Sequence, residues 1–271
     1  MLKVKDLSKV FEDSNQHHVI DQISMEVEMG EFVCILGPSG SGKTVFLYLI
    51  AGFLEPTSGE ITLGGQKVIG PDTDKMMIFQ DSSLFPWRTV HGNIVFGLEN
   101  SNLLSAEKNK MVLKYLNLVG LEKYKDWYPH KLSGGMRQKV IIARSLISNP
   151  KILLLDEPFS ALDPEYRKYM RSNLEKIWQE TKKTIIFVTH SVNEALTLAD
   201  RIYLFSNLPA KIRKTYKIDL PRPRDPRSSG FVAIAKDIEK EIALEFDLAL
   251  NSDLSDRQVL GQILETQIKK I

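Results

Sequence analysis

A short glycine-rich stretch of the chain has the residue types and the spacing that bind phosphate. It matches the pattern of a glycine, four variable positions, then glycine, lysine and a hydroxyl residue, and it consists of Gly37, Pro38, Ser39, Gly40, Ser41, Gly42, Lys43 and Thr44. Its glycines leave the backbone bare, so that consecutive N–H groups can turn towards phosphate oxygens. Lys43 can reach the β- and γ-phosphates of a nucleotide, and the Thr44 hydroxyl can hold Mg²⁺. This P-loop predicts a site for a nucleotide and Mg²⁺.

Two adjacent carboxylates, Asp156 and Glu157, end an apolar run at 152–155 that is typical of a buried parallel strand. The carboxyl ends of strands in open α/β sheets face the ligand crevice. We therefore expect Asp156 to hold Mg²⁺, directly or through water, and Glu157 to be the base that orients the attacking water. A solvated acidic turn is the alternative for such a pair, and the P-loop earlier in the chain argues against it.

Between these two motifs, Ser133, Gly134 and Gly135 begin a predicted helix, with Ser133 as its N-cap. Taken alone, this sequence fits a helix cap in a flexible turn. A helix N-terminus with bare glycines is also an anion-binding device. Because the chain has one P-loop, a second phosphate cradle suggests that the nucleotide is shared with another molecule.

The elements that position these motifs are strands alternating with helices. Apolar runs predict buried strands at 32–36, 152–155 and 184–188. After Thr44 the pattern predicts a helix that ends near Gly52. This alternation indicates an α/β fold with a sheet core.

From about residue 82 to residue 150 the pattern is helical, and we expect a helical subdomain inserted into the sheet core. Ser105 is a candidate N-cap for one of its helices. After the acidic pair, Asp163 and Pro164 combine an N-cap residue with a proline at the first helical position. They predict a helix that runs towards Thr181.

The composition changes after Asn207. Residues 211–227 are basic and interrupted by prolines, so they predict an irregular connection that follows a last strand at 202–205. Ser255 begins a capping box and predicts a short helix near the C-terminus. Before it, an amphipathic helix is predicted from the apolar stripe of Phe231, Ile234, Ile238 and Ile242.

The composition is that of an ordinary globular protein, with 271 residues of which 43% are hydrophobic and 26% charged. Lys and Arg number 36 against 34 for Asp and Glu, so the net charge of +2 gives no reason to expect nucleic acid as a partner. The single cysteine, Cys34, lies in an apolar strand and is expected to fill the core. No apolar run approaches the roughly 20 residues that span a bilayer, and the N-terminus does not resemble a signal peptide. We expect a soluble chain unless another component holds it at a membrane.

The order of these motifs resembles that of the ATP-binding cassette (ABC) ATPases over about residues 1–206. The resemblance implies the P-loop NTPase sheet core of that family, with the helical subdomain at about 82–150. It also implies ATP hydrolysis with ATP and Mg²⁺ as cofactors. On this basis residues 1–206 form the ATPase domain, and residues 207–271 form a linker and a small helical extension.

The resemblance also implies roles for single residues. Phe11 would stack on adenine, Gln80 would sense Mg²⁺ and the attacking water, and His190 would contact the γ-phosphate. Two copies of the chain would form a homodimer in which Ser133 and Gly135 of one copy contact the γ-phosphate bound by the other.

Other interpretations stay open for some of these residues. Phe11 could be part of the core, and Asp163, which the resemblance places across the subunit interface, could be an N-cap alone. Val45 stands where the family usually has a second hydroxyl residue that contacts the α-phosphate. The backbone N–H of Val45 remains, so we expect weaker nucleotide binding rather than none.

Two further stretches, 84–98 and 219–224, resemble the nitrate, sulfonate and taurine group of bacterial importers. The resemblance implies an ATPase subunit at the cytoplasmic face of the membrane, peripheral to it. This subunit would energise the uptake of a small anionic solute through permease subunits, fed by a separate solute-binding protein. Phe85 and Trp87 suit a groove that receives a helix of the membrane subunit, and ordinary packing under a loop is the alternative.

Two other functions make different predictions. A soluble cassette ATPase that acts on nucleic acid or ribosomes, unconnected to transport, would have a strongly basic surface or two fused cassettes, and this sequence has neither. A switch GTPase would need an Asn-Lys-x-Asp motif for base recognition, and the match at 109–112 lacks the final Asp.

Overall fold

The structure is a computed structural model that describes residues 1–11, 17–80 and 84–250, with side chains up to residue 245. The strands of this part are Leu2–Phe11 (β1), His17–Val27 (β2), Phe32–Leu36 (β3), Ser58–Leu63 (β4), Gln66–Lys67 (β5), Lys75–Ile78 (β6), Ile152–Asp156 (β7), Thr184–Thr189 (β8), Arg201–Phe205 (β9) and Ile212–Lys217 (β10). Its α-helices are Lys43–Ala51 (α1), Val90–Val95 (α2), Ser105–Leu118 (α3), Gly134–Ile147 (α4), Pro164–Thr181 (α5), Val192–Leu198 (α6) and Ser229–Leu250 (α7). Strands and helices alternate, which confirms the predicted α/β fold.

The chain forms two compact units. The first unit contains residues 1–72 together with the chain from residue 186 onwards, and the second unit contains residues 73–185. The boundaries of these units therefore differ from the predicted division after residue 206. The division into an ATPase domain and a linker with a helical extension stays a prediction. The predicted capped helix at Ser255 lies outside the described residues.

The first unit contains an antiparallel sheet in the order β2-β1-β4-β5 and a second sheet in which β10, β9, β3 and β8 are neighbours in that order. Every residue of β3 is fully buried, as its continuous apolar sequence predicts. β3 pairs in parallel with β9, with Leu36 opposite Leu204. Burial, followed by the nearby Glu194 carboxylate, raises the pKa of the Cys34 thiol in β3, so this cysteine is an uncharged core residue.

The second unit contains the parallel pair of β6 and β7 and the helices α2 to α5. α4 is buried along most of its length, whereas α3 buries only Val112 and Leu116. Ser133 caps α4 as predicted, since its side chain accepts a hydrogen bond from the Met136 N–H. Asp163 caps α5 in the same way by accepting from Tyr166 N, with Pro164 at the first position.

The predicted irregular connection at 211–227 is wrong in its first part, and 202–205 is not the last strand. Ile212–Lys217 forms β10, which pairs antiparallel with β9. Ile212, Lys214 and Tyr216 are the less exposed residues of an alternating strand pattern, which the charges of Arg213 and Lys214 obscured. Basic side chains are usual on an edge strand because they oppose further pairing.

Ser105 is the other local correction. It is the first residue of α3, and the N-cap is Leu104. The Glu107 carboxylate accepts a hydrogen bond from Leu104 N at 2.8 Å, so Glu107 stabilises this helix end instead of a serine hydroxyl. Of the described helices, none combines the length and the apolar character needed to cross a bilayer.

Candidate active site

The P-loop links the end of β3 to the start of α1, as the sequence predicts. Gly42 is the N-cap of α1 with a φ of 84°, a left-handed conformation that L side chains rarely adopt. A Cβ at Gly42 would also lie 3.1 Å from Val19 Cγ1 in β2. Glycine is therefore required at this position by both the backbone conformation and the contact with β2.

The side chains and backbone of the P-loop form a cationic cradle. Lys43 is buried, and its ammonium donates to the carbonyls of Gly37 at 2.9 Å and Pro38 at 2.7 Å. The Phe46 N–H donates to Gly42 O, so the N–H groups of residues 43–45 precede the first intrahelical hydrogen bonds of α1. Such a helix start attracts anions.

Two hydroxyl groups complete the loop. The Ser41 Oγ is buried and has no hydrogen-bond partner among the described residues, so a polar ligand atom would satisfy it. The Thr44 side chain is half-buried in the first turn of α1. Ser39 and Gly40 are exposed. The loop thus offers bare N–H groups, a cation and the hydroxyls of Ser41 and Thr44, which fit a nucleotide's phosphates.

Val45 faces the protein interior, with no exposed surface. The first turn of α1 retains its backbone N–H donor, and the side chain belongs to the apolar core of the helix. The weaker nucleotide binding expected from this residue stays a prediction.

Phe11 and His190 are the other two predicted site residues of the first unit, and they differ in their exposure to solvent. Phe11 ends β1 with 3% of its surface exposed, and the Lys9 ammonium lies 5.1 Å from its ring. His190 is exposed, directly after β8. The buried position of Phe11 agrees with the alternative that this residue is part of the core. Stacking of adenine on Phe11 stays a prediction.

In the second unit, Gln80, Asp156 and Glu157 lie at or just after the carboxyl ends of the neighbouring parallel strands β6 and β7. Ile78 of β6 is paired with Leu155 of β7 in the parallel register. Gln80 and Glu157 therefore each follow this pair by two residues. Asp156 is buried, and Glu157 is half-buried with a φ of 42°.

A tight turn holds this acidic pair. The Glu157 carbonyl accepts from the Ser160 N–H at 3.1 Å and from the Ser160 hydroxyl at 3.0 Å. The Arg167 guanidinium donates to the carbonyls of Ser160 and Leu162. The turn after β7 is thus bound to the first helical turns of α5, which limits the positions that Glu157 can adopt.

The donor chemistry fits Mg²⁺. Among the described residues, no group of three or more His, Cys, Asp or Glu side chains could hold a metal ion. Mg²⁺ needs no such cage, since it is usually bound by one or two carboxylates together with substrate phosphates and waters. The Thr44 hydroxyl in the first unit and the Asp156 carboxylate in the second are oxygen donors of this kind.

Ser133 and Gly134 at the start of α4 are exposed, and Gly135 is buried. A Cβ at Gly135 would lie only 1.7 Å from Tyr166 Cε1 of α5. The two helices are also joined where Lys139 donates to the Tyr169 hydroxyl at 3.0 Å. This hydrogen bond lowers the pKa of Tyr169.

Sequence reasoning missed this contact between α4 and α5. Tyr166 and Tyr169 follow Asp163 in a stretch that reads as an ordinary helix start, and no periodic pattern links them to Gly135 or Lys139. The nearest signal is that Gly135 is glycine at a helical position, which often marks a close approach of another element.

Phe85, one of the two predicted docking aromatics, lines a groove in the second unit. The groove has a volume of about 590 Å³, and its lining includes Phe79, Phe85, Phe96 and Arg144. The Phe85 ring packs edge-on against Phe96 at 4.6 Å and lies 5.6 Å from Trp87, which is 70% exposed. Packing under a loop therefore does not account for Trp87.

Buried groups hold these aromatic residues in place. The Asn93 side chain of α2 is fully buried, accepts from Phe85 N and donates to the carbonyls of Phe85 and Arg88. The Arg144 guanidinium lies 5.4 Å from the Phe85 ring centroid, and burial lowers its pKa. A rigid aromatic surface with a cation beside it suits an apolar partner segment.

Known proteins resemble this chain over most of its length. A family model described as ABC transporter matches residues 20–160. An uncharacterized ABC transporter ATP-binding protein of Methanocaldococcus jannaschii is 47% identical over 88% of this chain and 89% of its own. The nitrate import ATP-binding protein NrtD of Synechocystis sp. is 46% identical over 81% of this chain and 83% of its own. The taurine import ATP-binding protein TauB of Roseobacter denitrificans is 43% identical over 80% and 82%.

Solved structures share the fold. The ATP-binding cassette MJ0796, in a dimeric post-hydrolysis state bound to ADP and phosphate, has a TM-score of 0.68 and 29% identity over 82% of this chain and all of its own (100%). The cbiO1 protein of Clostridium perfringens, part of the transporter complex cbiONQ, has a TM-score of 0.73 and 27% identity over 88% and 98%. These likenesses confirm the predicted fold class, a P-loop sheet core with a helical insertion.

The contact between Gly135 and Tyr166 gives a testable prediction. Gly135→Ala should destabilise the protein by about 1–3 kcal/mol, because its methyl group overlaps the Tyr166 ring and forces α4 or the ring to move. Gly134→Ala is the matched control, since its methyl group would meet Leu162 Cδ2 at an ordinary 3.6 Å. Urea unfolding measures both.

Combining Gly135→Ala with Tyr166→Ala should cost less than the sum of the two single changes, because the second removes the ring that the first overlaps. Equal losses for the two glycine variants would contradict this packing.

Proposed function

Because the chain belongs to the ABC transporter family of ATPases, we propose that it is the ATP-hydrolysing subunit of an importer for a small anionic solute. The observation that carries the proposal is the sequence identity of 46% to a nitrate import ATP-binding protein and of 43% to a taurine import ATP-binding protein. The aromatic groove of the second unit supports it, since a subunit that drives a permease needs a surface that binds one.

Each residue of the site has its own role in ATP hydrolysis. The loop N–H groups and the Lys43 ammonium bind and orient the phosphates. The Thr44 hydroxyl and the Asp156 carboxylate would hold Mg²⁺, and Gln80 would sense Mg²⁺ and the attacking water. Mg²⁺ neutralises charge on the phosphate oxygens when it is bound. Glu157 accepts the proton of the attacking water and orients it, and His190 contacts the γ-phosphate. Positioning and charge stabilisation supply the catalysis.

Two copies share each nucleotide in this proposal. Ser133 and Gly134 are exposed at the N-terminus of α4, a helix of 14 residues, so its first N–H donors are open to an anion carried by another molecule. A solved relative of the same fold, MJ0796, is dimeric with ADP and phosphate bound. In this arrangement Ser133 and Gly135 of one copy (the signature residues) complete the P-loop site of the other.

The membrane partners follow from the same function. A permease helix occupies the groove of Phe79, Phe85 and Phe96, with Trp87 at its rim, and holds the ATPase at the cytoplasmic face of the membrane. A separate solute-binding protein delivers the solute. Co-purification of the permease and the solute-binding protein, followed by thermal-shift screening with nitrate, taurine and alkyl sulfonates, tests this assignment. A shift only with solutes that lack an anionic group would contradict the anionic class.

Shared sites give a prediction for mixed dimers. Lys43→Ala and Ser133→Arg should each abolish most ATPase activity, the first by removing the phosphate cation and the second by filling the phosphate's place. A one-to-one mixture should recover about a quarter of the wild-type rate, because half of the dimers are mixed and each has one intact site of two. Steady-state phosphate release measures the rates.

The matched control mixes Lys43→Ala chains with chains that carry both substitutions, a pair that contains no intact site and should stay inactive. If mixed dimers form and the first mixture also stays inactive, each chain must use its own signature residues and the shared site is wrong.

The groove gives a prediction for coupling. Trp87→Ala should lower solute uptake by the reconstituted transporter about ten-fold or more, since large aromatic residues at such surfaces carry much of the binding energy. ATP binding by the isolated subunit should stay unchanged. Trp127→Ala is the control, because Trp127 is another exposed tryptophan of the second unit, 41% accessible, whose ring packs against Tyr124, whereas the Trp87 ring packs against Phe85 of the groove lining. Uptake that survives Trp87→Ala would refute the docking role.

A further inference from the structure

Two arginines bind the backbone carbonyls at the C-terminal end of α6. Arg224 donates to the carbonyls of Leu196 at 2.7 Å and Ala199 at 2.5 Å. Arg222 donates to those of Leu198 at 2.7 Å and Thr197 at 3.4 Å. A helix leaves its last carbonyls without intrahelical partners, and here four consecutive ones are bound by side chains from the stretch 219–224.

Arg224 is held in place by its surroundings. It is 7% exposed and also donates to the carbonyls of Ile218 at 3.0 Å and Leu220 at 3.3 Å. The negative end of the helix dipole stabilises a cation here. Burial makes each of these hydrogen bonds costly to lose. A lysine cannot reproduce the contacts, because its compact ammonium lacks the planar fork of a guanidinium.

Arg222 connects the same helix end to the strand that leads into the P-loop. Its guanidinium lies 2.9 Å from Asp200 Oδ1. The other oxygen of that carboxylate accepts from Phe32 N, the first residue of β3, at 3.0 Å. The C-terminal end of α6 is therefore fixed relative to β3 by an arginine–carboxylate–backbone chain.

The N-terminal end of α6 holds the residues on both sides of His190. The Thr189 hydroxyl donates to the Glu194 carboxylate at 2.6 Å and accepts from Ser191 N at 3.0 Å. Ser191 caps the helix by accepting from Glu194 N. The Thr189 hydroxyl thus links Ser191 N to the Glu194 carboxylate and ties the backbone around His190 to the first turn of α6.

We propose that Arg224 and Arg222 are positioning residues that set the location of His190 through α6. The helix has seven residues, so it is about 10 Å long and moves as one rigid element. A change at its C-terminal carbonyls therefore displaces the residue that precedes its N-cap. The inference rests on the proposed contact of His190 with the γ-phosphate, and it makes the stretch 219–224 part of the catalytic apparatus instead of a linker.

Arg224→Lys and Arg222→Lys test this inference in the dimer of the whole 271-residue chain. Each should lower kcat about ten-fold, since small misplacements of a reacting group have large effects on rate. The Kd for ATP should change by less than about two-fold, because the P-loop holds the phosphates. Arg227→Lys is the control, as its side chain is 92% exposed and pairs with Asp225 on the surface. It should change neither quantity.

The imidazole resonances report on position directly. Arg224→Lys should shift or broaden the signal of His190, assigned with His190→Gln, and leave those of His91 and His130 in the second unit unchanged. The same change in the His190 signal is expected for Arg222→Lys. The Arg222 side chain is 14% exposed, more than Arg224, so the test does not depend on the folding of one variant. An unchanged His190 signal in both variants would overturn the proposal.

Single-turnover rates in the His190→Ala background separate positioning from general stability. Arg224→Lys should have no further effect there, because the residue it positions is absent. A full additional loss would show a structural role alone and overturn the inference. Wild-type rates in His190→Ala itself would refute the His190 contact, and the inference with it. A large loss in His190→Ala with none in Arg224→Lys would refute positioning and leave the proposed function intact.

Discussion

The backbone groups that a helix leaves unpaired at its ends determine where this chain can act. At the starts of α1 and α4 these groups are N–H donors, and the flanking Gly42 and Gly134 have no side chain that would shield them from an anion. At the end of α6 they are carbonyls, and Arg222 and Arg224 bind them. The same constraint therefore leaves N–H donors that suit an anion at two helix starts and produces a fixed anchor at one helix end.

The sequence predicts the parts of the fold and of the site that depend on neighbouring residues. The P-loop, the buried strand before the acidic pair and the caps at Ser133 and Asp163 are all local patterns, and the structure contains each of them. The arginine contacts with α6 could not be predicted, because Arg224 binds a carbonyl 28 residues earlier in the chain. A basic, proline-containing stretch carries no periodic signal for such a partner.

Gly135 shows how one residue can satisfy two demands that the sequence cannot separate. The resemblance to ABC ATPases implies that it contacts a phosphate, and the structure adds that the Tyr166 ring occupies the space of a side chain. Both demands require a bare Cα, so the motif alone supports either. Only the position of α5, set by the Asp163 cap and the Arg167 contacts with the turn after β7, reveals the second demand.

The basic segment after Asn207 shows why a count of charges does not identify their role. Arg213 and Lys214 of β10 form ion pairs with Glu241 and Asp237 of α7. These pairs are partly exposed, so each contributes little alone, and together they fix the register of α7 along an edge strand. Arg222 and Arg224 instead bind backbone carbonyls, where the loss of one side chain leaves buried acceptors without donors. A composition that favours a loop is therefore equally compatible with a strand, a helix-docking surface and the anchor of α6.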